Sequence, residues 1–363
     1  MIELLVLASK PKGMAPSQRF RIEQWAPRLE AKHGIRLDLV PFESRELTKV
    51  LYESGRRVEK AVRILKDTWR RRHVLELAKK YDGVIIHREA ALLGPAFYEK
   101  LLSRTGVPLF FDFDDAIWLQ QKSANGIFAR LHFYGKTGTI CRLSRAVSAG
   151  NEYLADYARK WNPNVFVVPT SIELSRYPVQ PLLTNDDPIV IGWSGSTHTL
   201  PHLETARPAL EELARRRKIV LKVICNKPPE RPIAGAENVF LPWKEEGEAE
   251  ALGAVHLGIM PLPDDDFTRG KCGLKALQYM ATGRPVVISP VGMNRELVRS
   301  GENGILATTV DEWVTALESL ASSRSLREKM GAEGRRTVEE RYSADVVAAQ
   351  FADVVRRTLA ASA

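Results

Sequence analysis

Cysteine is scarce in this chain and never paired. Its 363 residues hold Cys141, Cys225 and Cys272, with no two at a metal-ligand or disulfide-framework spacing. That excludes a stapled secreted scaffold, argues against a zinc site and fits a reducing cytoplasm. No apolar run approaches the roughly 18 residues that a membrane span needs. The opening MIELLVLASK has no basic stretch ahead of its apolar residues, so a first strand is expected there rather than a signal peptide. A basic–aromatic recognition motif is also missing, which speaks against nucleic acid as a partner. What the chain has in surplus is positive charge, with 53 Lys and Arg against 44 Asp and Glu, a net +9. Such a balance favours anionic partners, among them nucleotides, phosphorylated substrates and acidic lipid. The length suits about two domains, each able to bury its own core.

A strand, a Gly/Pro loop and a helix open the chain. Ile2–Ala8 is short and apolar, residues 9–17 (SKPKGMAPS) form the loop, and a helix is expected from Gln18. A doubly wound α/β domain begins this way, and its ligands sit beyond the carboxyl ends of its strands. Arg19 and Arg21 fall at the start of that helix, either as partners for an acceptor's charged group or as ordinary surface arginines. Residues 35–42 alternate as a second strand, and 45–80 read as a long helical insertion. Within 56–72, eight basic residues stand against Glu59 and Asp67, a net +6, while Val58, Val62, Leu65, Trp69 and His73 recur at helical spacing. One reading is a basic amphipathic face for an anionic membrane or a lipid-linked acceptor. The other is an apolar face in the core with a solvated face outward. Residues 81–89 and 107–115 are buried strands whose carboxyl ends deliver His87, Arg88 and Glu89, and Asp112, Asp114 and Asp115. Two such ends mark where a cleft in the sheet should lie. A strand at 165–169 closes the first half and runs into an irregular linker, 170–178.

The α/β pattern then restarts with a strand at 188–193. The loop after it, 194–199 (SGSTHT), is rich in small residues, so Gly195 and Ser196 let backbone N–H groups approach a phosphate. Strands at 219–225 and 238–243 follow, then an acidic helix. The densest motif occupies 261–306, PLPDDDFTRGKCGLKALQYMATGRPVVISPVGMNRELVRSGENGIL. Leu274, Leu277 and Met280 have helical spacing and predict a helix from about Gly270, stopped by Gly283-Arg284-Pro285. Lys271, Lys275 and Gln278 share one face of it. A helix N-terminus attracts phosphate, and neighbouring cations, with Arg269 just ahead, strengthen the attraction. The alternative is a solvated basic face on a surface helix.

Residues 261–306 resemble the signature region of family 4 glycosyltransferases, and 146–177 resemble the end of that family's first domain. The resemblance covers nearly the whole chain, with one departure. Gly270 and Gln278 stand where the family motif has two glutamates, so both acids are missing. The resemblance implies a GT-B fold of class α/β, with two doubly wound Rossmann-like domains facing across a cleft. Residues 1–172 would be the acceptor-side domain, with the basic helical insertion at about 45–80. Residues 173–343 would bind the nucleotide sugar, and 344–363 would pack back on the first domain.

The activity implied is retaining transfer of a sugar from a UDP- or GDP-sugar to a glycan, lipid-linked or small-molecule acceptor. The implied setting is cell-envelope polysaccharide synthesis. The cysteines fit the cytoplasm, and the membrane reading of the basic segment 56–72 is the one that would give peripheral contact with an anionic membrane at its inner face. No cofactor and no metal are implied, since the nucleotide-diphosphate sugar is the donor substrate. Asp114 takes the position of the family's usual histidine; a carboxylate there can bind the donor sugar, position an acceptor hydroxyl or assist its deprotonation. His87 and Asp115 complete the catalytic candidates. Donor contacts are assigned to Gly195, Ser196, His198, Asn226, Trp243, Arg269, Lys271, Lys275 and Gln278, with Trp243 read alternatively as core. The alternative function is a non-catalytic nucleotide-sugar or glycan binding protein that has lost the two motif glutamates. The segment 110–117 (FFDFDDAI) superficially matches the aspartyl nucleophile motif of haloacid-dehalogenase-type phosphatases. Ala116 stands where Thr or Val is expected, and no later strand ends in paired acids.

Overall fold

The computed structural model describes residues 1–51, 53, 55–119 and 133–361. The chain divides into two compact units, Met1–Ser171 together with Ala344–Ala363, and Ile172–Ser343. Each is built around a six-stranded parallel sheet.

The first unit contains β1 Ile2–Ala8, β2 Ile35–Pro41, β3 Gly83–His87, β4 Leu109–Phe113, β5 Ala146–Ala149 and β6 Val165–Val167, in the order β2-β1-β3-β4-β5-β6. β3 and β4 are buried along their whole length. A sheet covered on both faces selects continuous apolar runs rather than alternation, which is how GVIIH and LFFDF read. The strand order reverses between β1 and β3, so the chain segments leaving their carboxyl ends part there and leave a crevice. The C-terminal helix Ala344–Ala360 belongs to this unit. Its Phe351 ring lies 5.2 Å from Trp25, and Asp345 pairs with Arg28 at 3.1 Å and Lys32 at 2.5 Å.

Among the described residues the helical insertion at 45–80 comprises three helices, Arg45–Leu51, Arg57–Arg70 and His73–Ala78. The backbone turns left-handed at Gly55 and Arg56 between the first two. At the second break Arg71 turns inward. Its guanidinium donates to the carbonyls of Ala90 at 2.6 Å, Val40 at 2.9 Å and Ala8 at 3.3 Å, joining the ends of β1 and β2. The helix Arg57–Arg70 buries Lys60, Ile64 and Asp67, not the apolar series seen in the sequence. Val58, Val62, Leu65 and Trp69 face outward, so the reading that seats them in the core is overturned.

The second unit contains β7 Ile189–Ser194, β8 Ile219–Cys225, β9 Glu237–Pro242, β10 Leu257–Met260, β11 Val286–Ile288 and β12 Ile305–Leu306, in the order β12-β11-β10-β7-β8-β9. Here the reversal lies between β7 and β10. Around Trp193, Leu221, Ile259, Trp313 and Leu317 the sheet and its covering helices form one apolar core. The motif segment differs from the expected single helix. A short helix, Asp266–Arg269, is closed by a capping box between Asp265 and Thr268. Gly273 then adopts a φ of 66°, and the main helix runs Leu274–Ala281. Lys271 therefore precedes that helix instead of riding on it, because the left-handed glycine separates the two. Gly258 on β10 explains how closely the helix lies on the sheet: a Cβ there would sit 2.3 Å from the Tyr279 ring. Among the described residues no helix is long and apolar enough to cross a membrane.

Candidate functional site

In the first unit a chain of polar contacts crosses the carboxyl ends of β3 and β4. Asp112 is wholly buried and receives Arg21, also wholly buried, through Nη2 at 2.6 Å and Nε at 3.0 Å. Arg21 also donates to the Val168 carbonyl at 2.7 Å and to Ser148 Oγ at 3.2 Å. Burial alone would raise the Asp112 carboxyl. The paired Arg21 and the His87 contact outweigh it and hold the group well below the usual carboxylate range. An ionised carboxylate only accepts, so His87 donates from Nδ1 to Asp112 over 2.8 Å. That leaves His87 Nε2 facing Ser17 Oγ at 2.9 Å, and Ser17 reaches Asp114 Oδ1 at 2.6 Å.

Asp114 is clamped as well. Arg88 donates to its Oδ1 from Nε at 2.9 Å and from Nη2 at 2.7 Å. Burial pushes the Asp114 carboxyl up, but Arg88, His87 and Arg21 with the Ser17 hydrogen bond bring it down to about 2. Arg88 holds a left-handed backbone, φ 64°, which is uncommon for a residue other than glycine. Asp115 lies 3.8 Å from Arg88 and caps its neighbour, accepting from the Ala116 amide at 3.1 Å. Glu89 is paired to Lys136 at 2.5 Å. The structure therefore brings His87 and Asp114 into one hydrogen-bonded chain, Asp112–His87–Ser17–Asp114, and keeps Asp115 at its edge. Arg21 is neither a surface arginine nor open to an acceptor.

In the second unit the loop after β7 and the segment after β10 leave adjacent strands at the reversal point, where ligands of such sheets bind. Ser196, Thr197 and His198 are exposed, and Gly195 is half-buried. The loop is held open by its own contacts. Thr199 Oγ1 accepts from the Ser196 amide at 2.9 Å, and Asn226 Oδ1 accepts from the Thr197 amide and hydroxyl, both at 3.0 Å. Asn226 thus orders the loop from the end of β8. Ser194 Oγ, on a residue only 3% exposed, and His202 Nδ1 have no hydrogen-bond partner among the described residues. Buried polar atoms normally have one, so both are left open to a ligand or water. Burial, then the charge of Lys271, lowers the His202 pKa. Lys271 also lies 4.1 Å over the Phe267 ring. Arg269 is already paired, with Asp264 at 2.7 Å and Asp266 at 3.2 Å.

Lys275, Gln278 and Trp243 belong to a separate knot of contacts. Gln278 is fully buried, donates to the Tyr177 hydroxyl at 2.6 Å and accepts from Lys275 at 2.9 Å. At its centre is Glu248, 5% exposed. It accepts from Tyr177 at 2.7 Å and from Trp243 Nε1 at 2.8 Å, with Lys275 at 3.7 Å. A carboxylate thus stands beside Gln278 although the motif itself has none. The sequence reading missed Glu248 because it is one of four glutamates in KEEGEAE and nothing local marks it as the buried one. Ser17, Tyr177 and His202 were missed as site members for a similar reason, and Arg21 was weighed for an acceptor or the surface and not for Asp112: their partners are remote in sequence. Asp112 did carry a signal, since a lone charge within an otherwise apolar strand needs a buried counter-charge. A cavity of about 360 Å³ lies elsewhere, bordered by Phe42, Asp67, Arg70, Arg71, His73 and Lys80, and shares no residue with either arrangement. Among the described residues no three His, Cys, Asp or Glu side chains are grouped to hold a metal ion.

The chain is similar to known proteins in sequence over part of its length and in fold over nearly all of it. Residues 188–323 match the family model described as Glycosyl transferases group 1. A D-inositol 3-phosphate glycosyltransferase from a Nocardioides species is 32% identical over 121 residues, which make up 33% of this chain and 25% of that protein. The chain spans about a quarter of the length of the curated relatives it matches. Among solved structures, sucrose-phosphate synthase from Thermosynechococcus elongatus superposes with a TM-score of 0.68 at 15% identity, covering 99% of this chain and 100% of that one. HepE from Anabaena, in complex with UDP and glucose, gives 0.66 at 13% identity over 98% and 100%. The chain has the fold of these proteins, two Rossmann-like domains, and its residues 188–323 carry a glycosyl transferases group 1 domain.

Proposed function

We propose that this protein is a retaining glycosyltransferase of the family 4 type that takes its sugar from a nucleotide-diphosphate donor, UDP- or GDP-linked. The observation that carries the reading is the reversal of strand order between β7 and β10 inside the matched segment. It sets the small-residue loop 194–199 and the Lys271 segment side by side, with two unpartnered polar atoms nearby. Departure of a nucleoside diphosphate needs negative charge stabilised where it develops. Lys271 supplies that, since the Gly195, Ser196 and Thr197 amides already donate to the Ile224 carbonyl, Thr199 Oγ1 and Asn226 Oδ1. Asn226 holds the loop in shape, while Trp243 and Lys275 bind the nucleoside, and the buried Gln278 and Glu248 hold Lys275 in place. Arg269 contributes least, since two aspartates already neutralise it.

Asp114 acts at the sugar and acceptor hydroxyl as an ionised carboxylate that accepts hydrogen bonds, and the His87–Ser17 pair positions it. The acceptor is a glycan, a lipid-linked glycan or a small molecule, as cell-envelope polysaccharide synthesis would require. The HepE structures contain UDP and glucose or UDP-glucose, which supports a uridine donor first. No metal is called for in this scheme.

A second reading has a specific observation behind it. Gly270 and Gln278 replace both motif acids, which suits a protein that binds a nucleotide sugar without transferring it. Incubation of the full chain with UDP-glucose and a panel of other nucleotide sugars separates the two. Slow release of free sugar without acceptor, and faster release of nucleoside diphosphate with the sugar on the acceptor once acceptor is added, supports transfer. Tight binding with no release over hours supports the binding protein.

A further inference from the structure

The helix Arg57–Arg70 carries its apolar residues on the wrong side for a core. Val58, Val62, Leu65 and Trp69 are 78%, 59%, 69% and 67% exposed. They are four of the twelve large hydrophobic residues exposed in the described structure, and all four lie on one fourteen-residue helix. At about 100° per residue they form a stripe roughly 60° wide. The buried residues Lys60, Ile64 and Asp67 lie on the opposite side, so the stripe is a second apolar face and not an edge of the first. Its surroundings are cationic. Arg57, Lys66 and Arg72 are exposed and have no acidic partner among the described residues, and the Arg72 guanidinium lies 4.1 Å over the Trp69 ring. Arg63, by contrast, is spent on Glu59 at 2.9 Å.

An outward apolar stripe with tryptophan near one end and unpaired cations on its margins is the composition of a helix that lies in a lipid interface. The cations select the charge of that interface. We propose that the Arg57–Arg70 helix docks this protein on an anionic bilayer. Val58, Val62, Leu65 and Trp69 enter the acyl boundary, and Arg57, Lys66 and Arg72 meet the headgroup phosphates. The inference stands apart from the transferase reading, because none of these residues belongs to the candidate donor site or to the Asp114 network.

The test is vesicle sedimentation with the full chain. Vesicles of phosphatidylcholine with 30% phosphatidylglycerol (on the order of physiological anionic content) are compared with pure phosphatidylcholine, at low and at high salt. Two triple variants accompany the parent: Val62→Ser/Leu65→Ser/Trp69→Ser for the stripe, and Arg57→Glu/Lys66→Glu/Arg72→Glu for the margin. Circular dichroism and nucleotide binding verify that each remains folded. The parent should sediment with anionic vesicles only, and each variant should lose at least about tenfold in partitioning. Brominated lipid should quench parent fluorescence and not that of Trp69→Phe, a readout independent of the triple variants. Failure of the parent to bind, binding by both variants at the parent level, or equal binding to neutral vesicles would overturn the proposal. So would a concentration-dependent dimer that the stripe variant abolishes without any vesicle binding, which would assign the stripe to a second copy of the chain.

Discussion

Arg21 holds together the charges beneath the first-unit site. It is wholly buried and meets the Asp112 carboxylate through two nitrogens, and Asp112 in turn orients His87. Removing one partner of such a pair leaves an uncompensated buried charge. Arg21→Met should therefore cost about 3–5 kcal/mol in urea unfolding, more than loss of an exposed ion pair. Asp114 sits at the other end of the chain and makes a sharper functional test. Asp114→Asn keeps the shape but removes the negative charge that Arg88 and Ser17 address. Turnover of a nucleotide sugar should fall by one to several orders of magnitude while affinity for the free nucleoside diphosphate stays at the parent value. An unchanged rate would make Asp114 structural and move its role to His87 or Asp115.

At the scale of elements, the motif helix Leu274–Ala281 depends on a residue outside itself. Gly258→Ala would drive a methyl into the Tyr279 ring, which lies 2.3 Å from where it would stand. Overpacking of this kind costs about 1–3 kcal/mol, and the displaced helix carries Lys275 and Gln278. Both the melting temperature and nucleotide affinity should fall, and a fall in stability alone would separate Lys275 from the nucleotide. The strands were legible in the sequence because parallel strands buried on both faces read as bare apolar runs: Ile2–Ala8 and Ile219–Cys225 have the expected bounds. The helices were less so. Helical spacing in 261–306 could not reveal that Gly273 turns left-handed and moves Lys271 off the helix. The period of Val58, Val62, Leu65 and Trp69 identified an apolar face without saying which way it points, since a core and a membrane impose the same pattern. Of the site, the loops after β7 and β10 were readable from small residues and charge. The contacts of Arg21, Tyr177 and Glu248 were not, because they join segments distant in sequence.

For the molecule as a whole, acid is the condition that should separate the first unit's stability from simple burial. Asp112 and Asp114 both have carboxyls depressed in the folded state, Asp114 to about 2. Groups of this kind stabilise fully above the unfolded-state value near 4 and lose that contribution as pH falls through the folded-state value. For Asp114, 10% exposed, the difference from 3.8 to about 2 amounts to roughly 2 kcal/mol. Denaturant midpoints should therefore decline between pH 4 and pH 2, and Asp114→Asn should flatten that decline. The second unit holds the central claim, that its β7/β10 reversal point receives the diphosphate of a sugar donor. Isothermal titration of the full chain with UDP and GDP, repeated on Lys271→Ala, tests it most directly. One of the two nucleotides should bind the parent, and losing a charge-assisted contact of about 1.5–3 kcal/mol should weaken it roughly tenfold to over a hundredfold. Absence of binding by either nucleotide at millimolar concentration, or parent-level affinity in Lys271→Ala, would contradict this account of the site.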